Sequence, residues 1–507
     1  MTTLGLYTAT ENELGSVAAA AGETDADLLA RSKGDLDDPA DVDAFLSAVV
    51  EADAAAVVLW LHGGTDSMPG YERATARLRE AGIPVVVKAT GDAFAAEDTT
   101  ADDAVASSVR AYLERGGTAN LANLLRYLAD TYGAPSDAPP EGYAYDEPVA
   151  LPSEGVYHPD HPGAGYEELV ATFDPDTPTV GVWFYESHWT HENTRYVDAQ
   201  VRALEERGVD ALPIFCEPAG DEDGWDAERV TDEWLLDADG DPVVDAMCSS
   251  FMFALSMDER GRDADDEGAS AQDVFLDRLG VPVLQTVTTM RSRSRYAASD
   301  TGVMGFELAL SVALPEFDGN VITHPISGKE RADDAAGIGS APKQHYPIDD
   351  RVDHVASLAA NWARLRHCPT DEARVAVVLH NYPPSDDGIG TAFGLDTPAS
   401  TANLLGELDE RGYDLGAGET GAAGAGDAEA GPPTDGAALI DALTSQLTLD
   451  DRWVAPEDVR ELSVDTVSPA IYREWFDGLD DGFREAVLDE WGDPPDRPFA
   501  IPGVEFG

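Results

Sequence analysis

Two stretches of this 507-residue chain set polar side chains at spacings that chemistry can use. The first is RVAVVLHNYPPSDDGIGTAFGLDTPAS, residues 374–400. Its apolar run, 375–379, reads as a strand buried on both faces that delivers His380, Asn381 and Tyr382 at its carboxyl end. Pro383 and Pro384 stop the strand, since neither can donate to a ladder. Gly388, Gly390 and Gly394 then allow a loop whose backbone can come close to a ligand. Asp396 or Thr397 caps the next helix, with Pro398 in its first turn, and the free N–H groups there suit an anion. The spacing is neither a dinucleotide fingerprint nor a phosphate loop, because no Lys follows the glycines. The alternative is a tight strand-to-helix turn with no ligand.

The second stretch is TVGVWFYESHWTHENTRYVDAQVRALEERGVDALPIF, residues 179–215. A strand ends at Tyr185, and Glu186, His188, Trp189 and His191 follow before a helix that Asn193 or Thr194 can cap. On a helix, the HxxH spacing puts His188 and His191 on one face, within reach of a divalent metal. In a loop the spacing fixes nothing, and a histidine at a strand end more often satisfies a hydrogen bond. Trp189 reads as packing. Further on, Arg291, Arg293 and Arg295 form the densest positive run, suited to carboxylates or to offsetting an acidic surface. His62 in LHGG and His324 in THPIS sit at apparent strand ends.

The elements that must position these residues alternate. Short apolar runs at 4–8, 56–61, 84–88, 179–185, 212–215, 281–286 and 374–380 read as buried strands. Helical periodicity occupies 118–130, 193–207, 305–313, 352–365, 398–411 and 436–444. Strand and helix in succession mean an α/β chain of several domains, with parallel sheets flanked by helices as in flavodoxin-like units. The expected organisation is an α/β domain at 1–135, a linker or irregular crossing at 136–175, and a central α/β domain at 176–370. A third α/β domain at 371–507 carries a mobile, Gly-rich loop at 416–433 and reads as cut short.

Charge narrows the partners. Lys and Arg number 32 against 98 Asp and Glu, a net charge of −66. Such a surface repels phosphate, which excludes nucleic acid and an anionic membrane as partners. The acidity fits a halophilic protein working in molar internal salt, where the Debye length is about 3 Å and dense carboxylates barely repel. Cys216, Cys248 and Cys368 form neither a disulfide framework nor a zinc knuckle. No apolar run is long enough to span a bilayer and no signal peptide is visible, so the expected location is the cytoplasm.

HNYPPSDDGIGTAFGLDTPAS resembles the hallmark of the large subunits of cobaltochelatase and magnesium chelatase. FYESHWTHENTRYVDAQVRALEERGVDALPIF, GGTANLANLLRYLAD, ALPEFDGNVITHPIS and DHVASLAANWARLR are similar to further blocks of that family. NYPP followed by GLDTPAS is the form of the cobalt branch. The resemblance implies a subunit that binds a tetrapyrrole, hydrogenobyrinic acid a,c-diamide, for Co2+ insertion in cobalamin synthesis. It implies AAA+ ATPase and adaptor chelatase subunits as partners, which use ATP and Mg2+; this chain, lacking a Walker motif, binds neither. His188, Asn381, Tyr382, Gly388, Gly390 and Asp396 become the expected tetrapyrrole contacts, His188 a metal ligand, and His380 and Asp386 acceptors of pyrrole protons. Two departures stand out. Glu186 replaces the family's usual Arg, and nothing matches the later Thr-His-Gly block, so the chain reads as an amino-terminal portion inactive alone. The alternatives are a magnesium chelatase subunit acting on protoporphyrin IX and a non-catalytic tetrapyrrole- or metabolite-binding module.

Overall fold

A computed structural model of the chain describes residues 2–9, 11–36, 38–89, 97–133, 145–218, 226–255, 275–332, 337–415, 433–494 and 498–504. Two compact units make up the chain, Met1–His367 and Cys368–Gly507. The start of the expected linker and nearly all of the loop at 416–433 lie outside the described residues.

The first unit holds two sheets. In one, β1 (Thr3–Thr8), β2 (Asp27–Ser32), β3 (Ala56–Trp60) and β4 (Val85–Lys88) run parallel in the order β2-β1-β3-β4. Successive side chains of a strand alternate between faces. Leu4, Leu6, Ala56, Val58 and Val86 accordingly pack with the helices Leu14–Gly22, Asp103–Arg115 and Gly117–Tyr132. Tyr7, Val57, Leu59, Val85 and Val87 pack with Pro39–Glu51 and Tyr71–Ala81 on the other side. Both faces are covered, which is why the inner strand β3 is apolar along its length, whereas the edge strand β2 also carries Asp27, Arg31 and Ser32.

The second sheet comprises β5 (Gly155–Val156), β6 (Thr179–Tyr185), β7 (Asp210–Cys216), β8 (Ala246–Ser249), β9 (Val283–Thr289), β10 (Val321–Arg331) and β11 (Lys343–Pro347). Its order is β11-β10-β9-β8-β6-β7-β5, with β6 to β10 parallel and the edge strands β5 and β11 antiparallel. Val182 and Phe184 face the helices Arg195–Glu205 and Asp349–Arg366, while Trp183 faces a second cluster around Phe251. Strand β10 changes register on both sides of Pro325, a residue that cannot donate to the ladder. Both sheets therefore have the flavodoxin-like order, and both reverse direction beside their first strand, between β1 and β3 and between β6 and β8. Ligands of open parallel sheets bind beyond the carboxyl ends at such points.

The second unit is built from the helices Thr397–Glu410, Gly436–Thr444, Pro469–Asp477 and Asp481–Trp491 and two short ribbons. These ribbons are β12 (Thr391–Ala392) with β13 (Leu395–Asp396), and β14 (Asp465–Val467) with β15 (Phe499–Ile501). Here the sequence expectation of a buried strand at 374–380 is corrected. Among the described residues this segment joins no sheet, and Val375, Val377 and Val378 are exposed. A strand apolar on both faces needs neighbours at both edges and cover above and below. The short ribbons of this unit supply neither.

Candidate functional site

The carboxyl ends of the two sheets of the first unit meet along a seam. After β1, the Asn12 Oδ1 accepts from Lys329 Nζ of β10 at 2.8 Å. Glu11 pairs with Lys343 of β11 at 2.7 Å, and Asp35 with Arg331 at 2.5 Å. Ser16 Oγ lies 3.0 Å from His191 Nδ1, beyond the end of β6. Gly15 allows the approach: a Cβ there would stand 2.5 Å from the carbonyl oxygen of His191.

His188 sits at the centre of the seam, in the short helix Glu186–Thr190 that follows β6. Its Nδ1 lies 2.8 Å from the hydroxyl of Tyr196, which in turn lies 3.3 Å from Ser250 Oγ beyond β8. The His345 ring is 5.4 Å away, its backbone N–H held by the Asn193 side chain at 2.7 Å and its Nδ1 3.2 Å from Ser327 Oγ. Burial, with the charges of Lys329 and His191 adding, pushes the His188 pKa down to about 3. Burial alone takes His191 down to about 4, and burial with the His188 and Lys329 charges takes His345 well below the usual histidine range. All three imidazoles are therefore neutral at pH 7. Lys329 is lowered by its own burial but remains the cation facing them. Glu13, also in the seam, is raised by burial, and among the described residues its Oε2 is buried without a hydrogen-bond partner.

A carboxylate pair adjoins this group. Glu217 follows β7, and burial and then the Glu186 charge push its carboxyl up to about 7. Glu186 is itself raised by burial, and its Oε1 accepts from the Thr190 hydroxyl. Tyr185 links the pair to the histidines: its ring stands 5.8 Å from His188 and its hydroxyl accepts from Met252 N–H at 2.8 Å. Neutral imidazoles can offer nitrogen lone pairs to a metal, the Glu217 carboxyl can accept a proton near neutrality, and the Lys329 ammonium can hold an anionic group.

Other singled-out residues have structural partners. His188 belongs to the helix while His191 caps it. Among the described residues no three His, Cys, Asp or Glu side chains converge on a metal position. Trp189 stacks on Phe215 at 4.3 Å. Arg293 is occupied by Glu330 at 2.8 Å and lies over the Tyr346 ring. Sequence reasoning missed Glu13, Glu217, Lys329 and His345.

The second unit carries the other candidates. Gly390 N–H donates to His380 carbonyl at 2.7 Å, and Asn381 bridges to Ile389, closing the loop on itself. At Gly388 a Cβ would meet the Pro383 carbonyl at 2.8 Å, and Gly390 has φ of 70°, so both need glycine. Asp386 Oδ1 accepts from Thr448 Oγ1 at 2.6 Å. Asp396 caps the helix Thr397–Glu410 by accepting from Ala399 N–H at 3.1 Å. His380 and Tyr382 are exposed.

Residues 110–507 match the family model CobN/Magnesium Chelatase. The chain is 30% identical over 512 residues to the aerobic cobaltochelatase subunit CobN of Sinorhizobium sp, covering 98% of this chain and 36% of that protein. To a magnesium-chelatase subunit of Rhodobacter capsulatus it is 28% identical over 314 residues, 59% of this chain and 25% of that protein. The solved catalytic subunit of cobaltochelatase from Mycobacterium tuberculosis superposes with a TM-score of 0.71 at 27% identity, covering all of this chain and 38% of that one. The chain thus spans about a third of the length of the curated relatives it matches. No helix among the described residues is long and apolar enough to cross a membrane. By its family model and by the reach of these matches, the chain belongs to the CobN/magnesium chelatase family.

Proposed function

We propose that the chain forms the tetrapyrrole-receiving part of a cobaltochelatase large subunit, with the seam of the first unit as the receiving surface. The observation that carries this reading is the placement of neutral His188 and His345 beside Lys329, at the reversal point of a parallel sheet. The macrocycle is hydrogenobyrinic acid a,c-diamide and Co2+ is the substrate metal. Insertion removes two pyrrole protons and strips water from the metal. A neutral imidazole can take a borderline divalent ion in transit, and the Lys329 ammonium can pair with a side-chain carboxylate of the macrocycle. Glu217, poised near neutrality, is a proton acceptor. The second unit, taken by itself, offers His380 and Asp386 as candidate proton acceptors and Asn381, Tyr382, Gly388 and Gly390 as candidate ligand contacts. Asp396 acts by holding the loop to its helix. ATP and Mg2+ belong to AAA+ and adaptor partners in the cytoplasm, not to this chain.

Cobalt is favoured over magnesium because the cobaltochelatase match runs through 98% of the chain and the magnesium-chelatase match through 59%. Quenching titrations in about 2 M KCl, where repulsion between carboxylates is screened, test the reading. His188→Ala and Lys329→Ala should each weaken hydrogenobyrinic acid a,c-diamide binding about tenfold, equivalent to about 1.4 kcal/mol. Unchanged affinity in both variants would remove the seam from the site. Tighter binding of protoporphyrin IX would favour the magnesium reading.

A further inference from the structure

We infer that residues 374–379 become a central strand of a sheet completed by other polypeptide, namely the stretch corresponding to the part of the relatives that this chain does not span. Val375 is 55% and Val378 92% exposed, and in a strand these two positions would fall on opposite faces. Arg374 through Val378 are all exposed, so neither face is covered. No strand pairs with the segment among the described residues. Strand edges that stay free are guarded by Lys, Pro or inward charges. The run Val375, Ala376, Val377, Val378, Leu379 has none of these.

The rest of the second unit agrees. Among the described residues its buried apolar side chains are Ala402, Leu405, Leu439, Leu447 and Phe476, while Phe393, Trp453 and Trp491 are more than four-fifths exposed. The first unit, by contrast, assembles four large apolar clusters. A unit of this size ordinarily buries about two thirds of its unfolded surface around its own core. A second copy of the chain is the weaker occupant. Pairing 374–379 with itself would satisfy one edge and leave the opposite edge bare. The cobaltochelatase subunit from Mycobacterium tuberculosis accommodates the whole fold of this chain in 38% of its length, so its remaining polypeptide is the available cover. On the proposed function, docking would also set the loop at 380–396 at the carboxyl end of a real sheet, where ligands bind.

Amide exchange of residues 375–379 tests the inference. It compares the 507-residue chain alone with the chain plus the polypeptide equivalent to the remainder, in frame or as a separate chain. Exchange should be unprotected in the chain alone and slowed about 100-fold in the complete assembly. Val377→Asp, at an exposed position, should leave the melting temperature of the chain unchanged and weaken the association at least about tenfold. Unchanged exchange in the assembly, failure of the two polypeptides to associate, or full association of the Val377→Asp variant would overturn it. So would protection of the chain alone that rises with concentration as it dimerises. These readouts involve no tetrapyrrole, so a failed titration leaves this inference standing, and the reverse holds too.

Discussion

His188 and Glu217 are neighbours with opposite proton linkage. For His188 the pKa falls from 6.5 to about 3 on folding, so on acidification the unfolded chain binds the proton first. Its contribution to stability is whole above pH 6.5 and is lost as pH drops toward 3. Glu217 rises from 4.5 to about 7, so the folded chain binds the proton first and its contribution grows as pH falls from 7 to 4.5. Each group changes stability by at most about 1.4 kcal/mol per pH unit, less because both keep some contact with solvent. Between pH 6.5 and 4.5 the two nearly cancel. Glu217→Gln should therefore make the acid-side loss of stability steeper than in the parent, and His188→Asn should make it shallower. Urea unfolding at a series of pH values in constant high KCl measures both slopes. Parallel curves for the two variants would contradict the assigned burial.

At the level of elements, the seam depends on the close approach of the helix Leu14–Gly22 to the turn after β6. Replacing Gly15 by Ala would gain about 1 kcal/mol of helix propensity. The new Cβ, however, would stand 2.5 Å from a backbone carbonyl that cannot swing aside as a side chain would. Overpacking of this kind costs about 1–3 kcal/mol, so the clash wins. Gly15→Ala should lower the melting temperature and lengthen the Ser16–His191 contact, which weakens tetrapyrrole binding; a more stable variant with full affinity would show that the seam is not packed this way. The same seam explains what the sequence could reveal. Strand β6 and the histidine after it were legible because an apolar run with a polar end marks a strand terminus. Strand β10 showed only as an apparent strand end at His324, which in fact lies inside it, since His324, Pro325 and Lys329 interrupt its apolar pattern, and β8 is only four residues long. Lys329 and His345 therefore stayed hidden, and they meet His188 from more than 140 positions away. Glu13 and Glu217 were lost among 98 acidic residues, because burial sets them apart and composition does not report burial. The run at 375–379 was misread for a related reason: its pattern states a preference for cover, and cover depends on neighbouring strands.

For the whole molecule the decisive quantity is the net charge of −66. In dilute buffer, with a Debye length of about 10 Å at 0.1 M, carboxylates on neighbouring elements repel one another and favour expansion. Salt also weakens attractive pairs, including Lys343–Glu11 and Arg331–Asp35 across the seam. Those lysine and arginine side chains are 35% and 43% exposed, and such pairs contribute about 1 kcal/mol or less each. Carboxyls outnumber cations three to one, so screening removes far more repulsion than attraction. The burial of Lys329 and the neutrality of the seam histidines keep the centre of the site insensitive to ions in solution. Raising KCl from about 0.1 M to about 3 M, where the screening length falls below about 3 Å, should therefore raise the melting temperature. The geometry around His188 should be preserved, seen as an unchanged proton NMR signature of its neutral imidazole. A melting temperature that stays flat or falls would mean that the seam pairs, rather than the repulsive surface, govern stability.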